Sequence, residues 1–297
     1  MILVVLFFIV WPLLYLLCGG FWLAIGVHFG SAALIALLSH FGLHSLRASR
    51  FADWFLGHWM RTHFDDEARA QLSALDPSKQ YIFICEPHGQ VPLHLCRFAG
   101  YGSAMPRALA QRTVVMASSL MLLLPFACQF FQLCGMVFAA RPVVELALER
   151  SLNVAACLSG LTGKSASMLR TAHECRRKHE DGRSIVDVVQ PDRCGLLVLA
   201  VRRGLPIVPV LSPMEERAFW NVPLFGESTP GWHCVLTMGN EWCMRPFCDV
   251  RVRVGAPIDT AALALDASKP RDLHHLGELV YSAMRQLAEP DCCVKLQ

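Results

Sequence analysis

The chain has 297 residues, of which 54% are hydrophobic and only 17% are charged; its net charge is +3 and its mean hydropathy is +0.39. This length allows one large domain or two ordinary ones, and the apolar composition is displaced from soluble proteins toward membrane proteins. No dense basic run is interleaved with aromatic residues, which argues against nucleic acid as a partner. The modest positive charge suits an anionic membrane surface or a phosphate-bearing ligand.

Thirteen cysteines are scattered through the chain, and no Cys-x-x-Cys motif occurs. Most of them lie in apolar runs, where cysteine acts as a small hydrophobic residue, so the sequence predicts reduced thiols facing the cytosol. Cys292-Cys293 is a minor candidate for lipidation. The histidines show no metal-ligand spacing, and we expect no metal site.

Residues 1–46 contain no Lys, Arg, Asp or Glu, and the first charged residue is Arg47. Residues 1–18 are long enough for one marginal membrane span, Gly19-Gly20 offers a break, and residues 21–38 can return as a second span. The alternatives are one longer helix followed by an interfacial segment, or a cleaved signal peptide. A signal peptide is disfavoured because the amino end lacks Lys and Arg and the apolar region is too long.

The sequence therefore predicts a membrane-embedded hairpin at residues 1–46 and a second domain at residues 47–297. Arg47, Arg50 and Arg61 follow the hairpin closely. Because basic residues stay on the cytosolic side of a membrane, they predict that the second domain faces the cytosol.

In the second domain, apolar runs of strand length alternate with helical patterns, and no internal repeat is present. The predicted helices cover residues 51–75, 143–158, 193–203 and 272–287, and the predicted strands cover residues 81–86, 163–169, 184–189, 206–212 and 250–255. We expect a turn at Asp76-Pro77-Ser78-Lys79, a helix cap at Asp192 and a helix end at Gly204. This alternation indicates an α/β fold with a mixed or mainly parallel sheet.

A second apolar segment covers residues 114–140. Pro125, Gln129 and Gln132 fall at spacings of four and three, which places them on one face of a helix. We interpret the segment as a membrane-dipping or acyl-lining helix whose polar stripe faces protein. An ordinary buried core helix with hydrogen-bonded glutamines fits the pattern equally well.

The strand at residues 81–86 ends abruptly in the motif Glu86-Pro87-His88-Gly89. An imidazole titrates near neutrality, so His88 can take a proton from an alcohol, and Glu86 is close enough in sequence to help orient it. A solvated loop histidine is the alternative. The motif nevertheless marks the best candidate for a catalytic group.

Glu86-Pro87-His88-Gly89 resembles the Glu-Pro-His-Gly or His-Pro-His-Gly block of the type 2 diacylglycerol acyltransferases, a family that includes monoacylglycerol acyltransferases and wax synthases. Further blocks resemble the family in the same order: Arg141, Arg193-Cys194-Gly195-Leu196 with Ala200 to Gly204, Pro206 to Val210, Ser212 to Glu215, and Val254 to Ile258. The resemblance covers approximately residues 50–290. It implies a glycerolipid-acyltransferase-like mixed sheet flanked by helices, with an N-terminal hydrophobic anchor or hairpin.

The resemblance implies transfer of a fatty acyl group from acyl-CoA to a lipid hydroxyl, with His88 as general base. Diacylglycerol is the favoured acceptor, giving triacylglycerol; monoacylglycerol, a fatty alcohol or a sterol are alternatives. An acyl-enzyme is disfavoured because Ser118-Ser119 and Ser212 lack a Gly-x-Ser-x-Gly elbow. The family's Gly-Gly-x-x-Glu block retains only Glu174, which keeps open a catalytically inactive lipid-binding membrane protein.

The candidate site residues follow from the motif and the family blocks. The carboxylate that assists His88 is Glu86, Glu174 or Glu215, and we favour the last two because they match family blocks. His94 is a weaker alternative base. The residues expected to bind substrate are Pro87, Gly89, Gln129 and Gln132, with Arg141, Arg193, Arg202 and Arg203 for the phosphates of coenzyme A.

We expect no cofactor, since acyl-CoA is the substrate. The predicted partners are acyl-CoA, a neutral lipid acceptor and a membrane, and a homo-oligomer is compatible with this reading. The expected location is the endoplasmic reticulum membrane with the catalytic domain facing the cytosol, and the lipid droplet is a second candidate.

Overall fold

A computed structural model describes residues 26–27, 29–31, 60–86, 95, 105–117, 136–158, 184–188, 195–212, 219–223, 235–239, 248–287 and 292–296. Nearly all of the predicted hairpin, the predicted strand at residues 163–169 and the cap at Asp192 lie outside this part of the chain. Within residues 21–38, residues 26–27 and 29–31 are helical, and Val27 and Phe29 are exposed. None of the helices in the described ranges is both long and apolar enough to cross a membrane.

The described residues form strands and helices in alternation. The strands are β1 (Met60–Phe64), β2 (Ile82–Glu86), β3 (Thr113–Ala117), β4 (Met136–Phe138), β5 (Asn153–Ala156), β6 (Ser184–Val188), β7 (Ile207–Leu211), β8 (Phe219–Pro223), β9 (Val235–Gly239), β10 (Cys248–Val254) and β11 (Cys292–Leu296). The helices are α1 (Asp66–Ala74), α2 (Arg107–Gln111), α3 (Arg141–Glu149), α4 (Gly195–Arg203) and α5 (Pro270–Leu287).

Seven of the strands form a mixed sheet in the order β1-β10-β7-β2-β5-β3-β4. The five strands from β7 to β4 are mutually parallel, whereas β10 pairs antiparallel with β7 and β1 pairs parallel with β10. β6 pairs with β11, and β8 pairs with β9, in two further two-stranded sheets. The predicted α/β class with a mixed sheet and flanking helices is confirmed.

β2 lies in the middle of the main sheet and is buried along its whole length. Ile82 pairs with Val154 of β5 on one side and with Ile207 of β7 on the other. Residues of one core cluster, including Ile82 and Ile84, pack with buried residues of α3, α4 and α5. A strand covered on both faces needs apolar residues at every position, which is why residues 81–85 show no alternation.

Most of the predicted elements are confirmed within a few residues. The strands expected at residues 81–86, 184–189, 206–212 and 250–255 are β2, β6, β7 and β10, and the helices expected at residues 193–203 and 272–287 are α4 and α5. Gly204 has a φ angle of 61°, a conformation that glycine adopts without the steric cost of a side chain, so it ends α4 as expected. The turn after Asp76 is also present. The Asp76 carboxylate stabilises it by accepting hydrogen bonds from the N–H and the hydroxyl of Ser78.

Two helix predictions were wrong in part. Residues 51–75 were expected to be helical, but β1 precedes α1, and its residues pair with β10 at the edge of the sheet. Residues 143–158 were expected to form one helix, but α3 ends at Glu149 and the chain turns through Ser151, whose φ angle is 58°. The apolar run that follows is the buried strand β5, because it fills the space between β2 and β3.

The helix expected over residues 114–140 was wrong at both ends. Residues 113–117 form β3 and residues 136–138 form β4, and the two strands pair in parallel. A short apolar run fits a buried strand as well as a helix, and pairing with neighbouring strands decides between them. Pro125, Gln129 and Gln132 lie outside the described residues, so their shared helical face stays a prediction.

Polar side chains tie the amino ends of the central strands together. The Asn153 Oδ1 accepts the Tyr81 N–H at 2.9 Å, and its Nδ2 donates to the Thr113 hydroxyl at 3.2 Å. The Arg112 guanidinium donates to the carbonyls of Pro77 and Ser151, both at 2.7 Å. We call Tyr81, Arg112, Thr113 and Asn153 the amino-edge clamp.

Two pKa shifts occur beside this clamp. Hydrogen bonds from Ser78 lower the pKa of the Asp76 carboxyl below its usual value. Burial raises the pKa of the Tyr81 phenol, whose oxygen accepts the Asp76 N–H at 3.0 Å. At neutral pH the Asp76 carboxylate is therefore negatively charged and the Tyr81 phenol is neutral. Their hydrogen bonds hold the turn against the start of β2.

We predict that Asn153→Ala lowers the free energy of unfolding by about 3 kcal/mol, because it leaves the buried Tyr81 N–H and Thr113 hydroxyl without this partner. Chemical denaturation followed by circular dichroism measures the change. Gln111→Ala, at an exposed position of α2, is the control and should change stability by less than about 0.5 kcal/mol. Equal stability of the two variants would contradict the clamp.

Candidate active site

The carboxyl ends of five parallel strands share one edge of the main sheet. β2 and β7 are neighbours in the sheet. After β2, the chain goes to β3, which lies on the side of β2 away from β7. After β7, the chain returns to this sheet at β10, which lies on the side of β7 away from β2. The connections from the adjacent strands β2 and β7 therefore leave in opposite directions. In open α/β sheets, ligands bind in the crevice that forms at such a switch point, beyond the carboxyl ends of the strands.

Glu86 is the last residue of β2, and its hydrogen bonds join β2 to the neighbouring strands at this edge. Its side chain is buried, and Oε1 accepts the N–H of Leu158, just beyond β5, at 2.8 Å. Its backbone carbonyl accepts the N–H of Ser212, the first residue after β7, also at 2.8 Å. One residue thus joins the ends of three strands. Pro87 follows and has no N–H, so it cannot donate the next bond of the ladder.

Ser212 lies at the same edge and is completely buried. Within the described part of the chain, its hydroxyl has no hydrogen-bond partner. A buried hydroxyl without a partner costs approximately 1–3 kcal/mol, so this position is unusual in a folded protein.

Arg141 is the predicted phosphate-binding residue that the structure brings to this edge. It begins α3, two residues after Ala139 and close to the carboxyl end of β4. Its side chain is 71% exposed, and its Nε lies 2.8 Å from Glu145 Oε1. β4 lies three strands from β2, a distance of about 14 Å, so Arg141 is separate from Glu86 but on the same side of the sheet.

Arg202 and Arg203 lie at the opposite edge. They end α4, which leads directly into the amino end of β7. A strand of five residues is about 16 Å long, so both arginines are distant from the Glu86 end. Both are exposed, and Arg203 lies 3.7 Å from Glu149. The structure therefore does not bring these two arginines together with Arg141.

The remaining predicted site residues lie outside the described part of the chain, and their roles stay predictions: Pro87, His88, Gly89, His94, Gln129, Gln132, Glu174, Arg193 and Glu215. Where the structure describes side chains, no three His, Cys, Asp or Glu residues are grouped to hold a metal ion.

Sequence reasoning missed two features of the edge. It considered Ser212 as the start of a family block and as a nucleophile, but not as a hydrogen-bond donor, and it did not connect Glu86 with the backbone of Leu158. A signal for Ser212 was present, because it is the last residue of the predicted strand at residues 206–212, as Glu86 is of the predicted strand at residues 81–86. The bond to Leu158 had no such signal, since 72 residues separate the two partners.

No protein-family model matches the sequence, and no curated protein matches it. Among solved structures, the chain is similar to the 1-acyl-sn-glycerophosphate acyltransferase PlsC from Thermotoga maritima, with a TM-score of 0.44 and 11% sequence identity. The similarity covers 89% of each chain.

We predict that Glu86→Ala lowers the free energy of unfolding by about 2–3 kcal/mol, because the Leu158 N–H loses its acceptor. Glu86→Gln keeps an acceptor oxygen in the same position and should lose about 1 kcal/mol or less. Urea denaturation of the two variants beside the wild type measures this difference. Equal losses in both variants would show that the bond to Leu158 is not what Glu86 contributes.

Proposed function

We propose that this chain transfers a fatty acyl group from acyl-CoA to a lipid hydroxyl, with His88 as general base. The observation that carries the proposal is the position of the Glu86-Pro87-His88-Gly89 motif. Its first residue is the buried end of the central strand, at the switch point between β2 and β7. This is the place in the fold where a catalytic side chain best meets a bound substrate.

Glu86 gives the motif a fixed start. Its carboxylate and carbonyl are both engaged with neighbouring strands, so the backbone at this residue has little freedom. His88 follows two residues later, within about 7 Å along the chain. A base held close to a rigid anchor loses less of its effectiveness to misplacement.

The reaction needs no covalent intermediate on the protein. The His88 imidazole takes the proton of the acceptor hydroxyl while its oxygen attacks the thioester carbonyl carbon. The carbon–sulfur bond then breaks, the ester is released, and the thiolate of coenzyme A takes the proton back from the imidazolium. Glu86, Glu174 and Glu215 are the carboxylates proposed to orient the imidazole.

Arg141 is our first candidate for the phosphates of the donor. Its exposed guanidinium is a strong partner for phosphate oxygens, and it lies on the same edge as Glu86. The separation of about 14 Å suits a ligand whose phosphates are remote from its thioester. Arg193, Arg202 and Arg203 are kept as secondary candidates.

Exposed apolar residues accompany Arg141. Phe138 at the end of β4 and Leu146 on α3 are among the exposed large apolar side chains of the described residues. Exposed apolar groups on β4 and α3, with the Arg141 cation between them in the chain, suit the surface of a bilayer, from which a lipid acceptor would enter. We therefore propose diacylglycerol as acceptor at the cytosolic face of the endoplasmic reticulum or at lipid droplets, with monoacylglycerol, a fatty alcohol or a sterol as alternatives.

We predict that purified wild-type protein forms a labelled ester from acyl-CoA and one of these acceptors. His88→Ala should lower kcat by about two orders of magnitude, because the hydroxyl then loses its base. His274→Ala is the control, since this histidine is exposed on α5, and it should retain full activity. Thin-layer chromatography of the labelled lipid measures the product.

Two results would overturn the proposal. Unchanged activity of His88→Ala would remove His88 from the mechanism. Absence of ester with every acceptor, from folded wild-type protein, would favour the non-catalytic lipid-binding protein.

A further inference from the structure

The Ser212 hydroxyl differs from the other buried hydroxyls that the structure describes. The Thr260 hydroxyl donates to backbone carbonyls of Ala200 and Leu205, and the Thr113 hydroxyl donates to the carbonyl of Leu109. Both satisfy the rule that buried polar groups find partners inside the protein. Ser212 is equally buried, yet its Oγ has no partner among the same described residues.

The backbone of Ser212 is held firmly. Its N–H donates to the Glu86 carbonyl at 2.8 Å, so its position relative to the end of β2 is fixed. Leu211 is paired with Glu86, and side chains alternate along a strand. Ser212 is the next residue of the chain, so this alternation predicts that its side chain leaves on the opposite face of the sheet from the Glu86 carboxylate.

A fixed, dry and unpaired donor is what an acyl-transfer site requires. When the acceptor oxygen attacks the thioester, negative charge moves onto the carbonyl oxygen, and a donor that is already in position stabilises it without reorganising. Exclusion from water strengthens such a hydrogen bond. A hydroxyl with no internal partner costs stability in the free protein, and that cost is recovered when a ligand supplies the acceptor.

We propose that the Ser212 hydroxyl donates a hydrogen bond to the thioester carbonyl oxygen of the bound acyl donor. This inference rests on the proposed acyl transfer and adds a catalytic donor to it. Ser212 forms no bond to carbon, so its proton stays on Oγ throughout and no base is needed beside it. The proposed mechanism thus uses two groups, His88 as the base and Ser212 as the oxyanion donor.

The test compares Ser212→Ala with Thr260→Val, which removes a buried hydroxyl that has internal partners. We expect Ser212→Ala to lower kcat about 100-fold and to raise KM about threefold, because the bond forms in the bound substrate but is strongest in the transition state. Its melting temperature should equal or exceed that of the wild type, since no internal bond is lost. Thr260→Val should show the reverse, a lower melting temperature with unchanged kcat. Ser212→Thr keeps a hydroxyl and should recover part of the activity.

Other outcomes would overturn the inference. Ser212→Ala that is destabilised like Thr260→Val and keeps its kcat would show a structural hydroxyl. An acylated Ser212 peptide, found by mass spectrometry after quenching with acid, would make the residue a nucleophile instead.

Failure of the proposed function gives a different pattern. If the wild type makes no ester, calorimetry measures the binding of palmitoyl-CoA to the wild type and to Ser212→Ala. The comparison tests whether Ser212 contacts the ligand. Weaker binding by the variant, by threefold or more, as expected for one lost hydrogen bond, keeps Ser212 as a ligand contact. Equal binding, or none to either protein, overturns the inference.

Discussion

The rest of the structure depends on the way in which the central strand ends. β2 is bonded to a parallel strand on each side, and Glu86 closes both ladders, one through its carbonyl and the other through its side chain. Pro87, the next residue, has no N–H and cannot donate a further bond to either ladder. A strand anchored on both sides fixes the point at which the chain leaves the sheet after Glu86. The proposed chemistry of His88 and Ser212 requires that precision.

The elements that were predicted correctly have both a characteristic length and a residue in the sequence that marks where they end. β2 and β7 are apolar runs bounded by proline, and α4 ends at a glycine in the left-handed conformation. The failures at residues 113–117 and 153–156 share one cause. These strands are apolar runs that carry no alternation, because both faces are covered, and only pairing with strands remote in sequence distinguishes them from helix.

The candidate site divides in the same way. That the Glu86-Pro87-His88-Gly89 motif starts at the carboxyl end of a buried strand could be predicted from the sequence, since the end of such a strand is a local property. Which arginines share that edge could not, because Arg141 and Arg202 both lie next to predicted elements. Arg141 follows the end of a strand and Arg202 precedes the start of one, and this difference has meaning only once the strands are known to be parallel. Ser212 Oγ has no hydrogen-bond partner within the described ranges of the chain, and this is a property of three-dimensional packing alone.

The amino-edge clamp has a consequence for how such a protein can evolve. Tyr81, Arg112, Thr113 and Asn153 hold the strands in register at the edge remote from Glu86, and they do so with side chains and backbone that no substrate needs to touch. Register is therefore maintained independently of the loops at the opposite edge. Mutations can accumulate in the segments that follow the strands at that edge, and ligand specificity can change, while the scaffold keeps its stability.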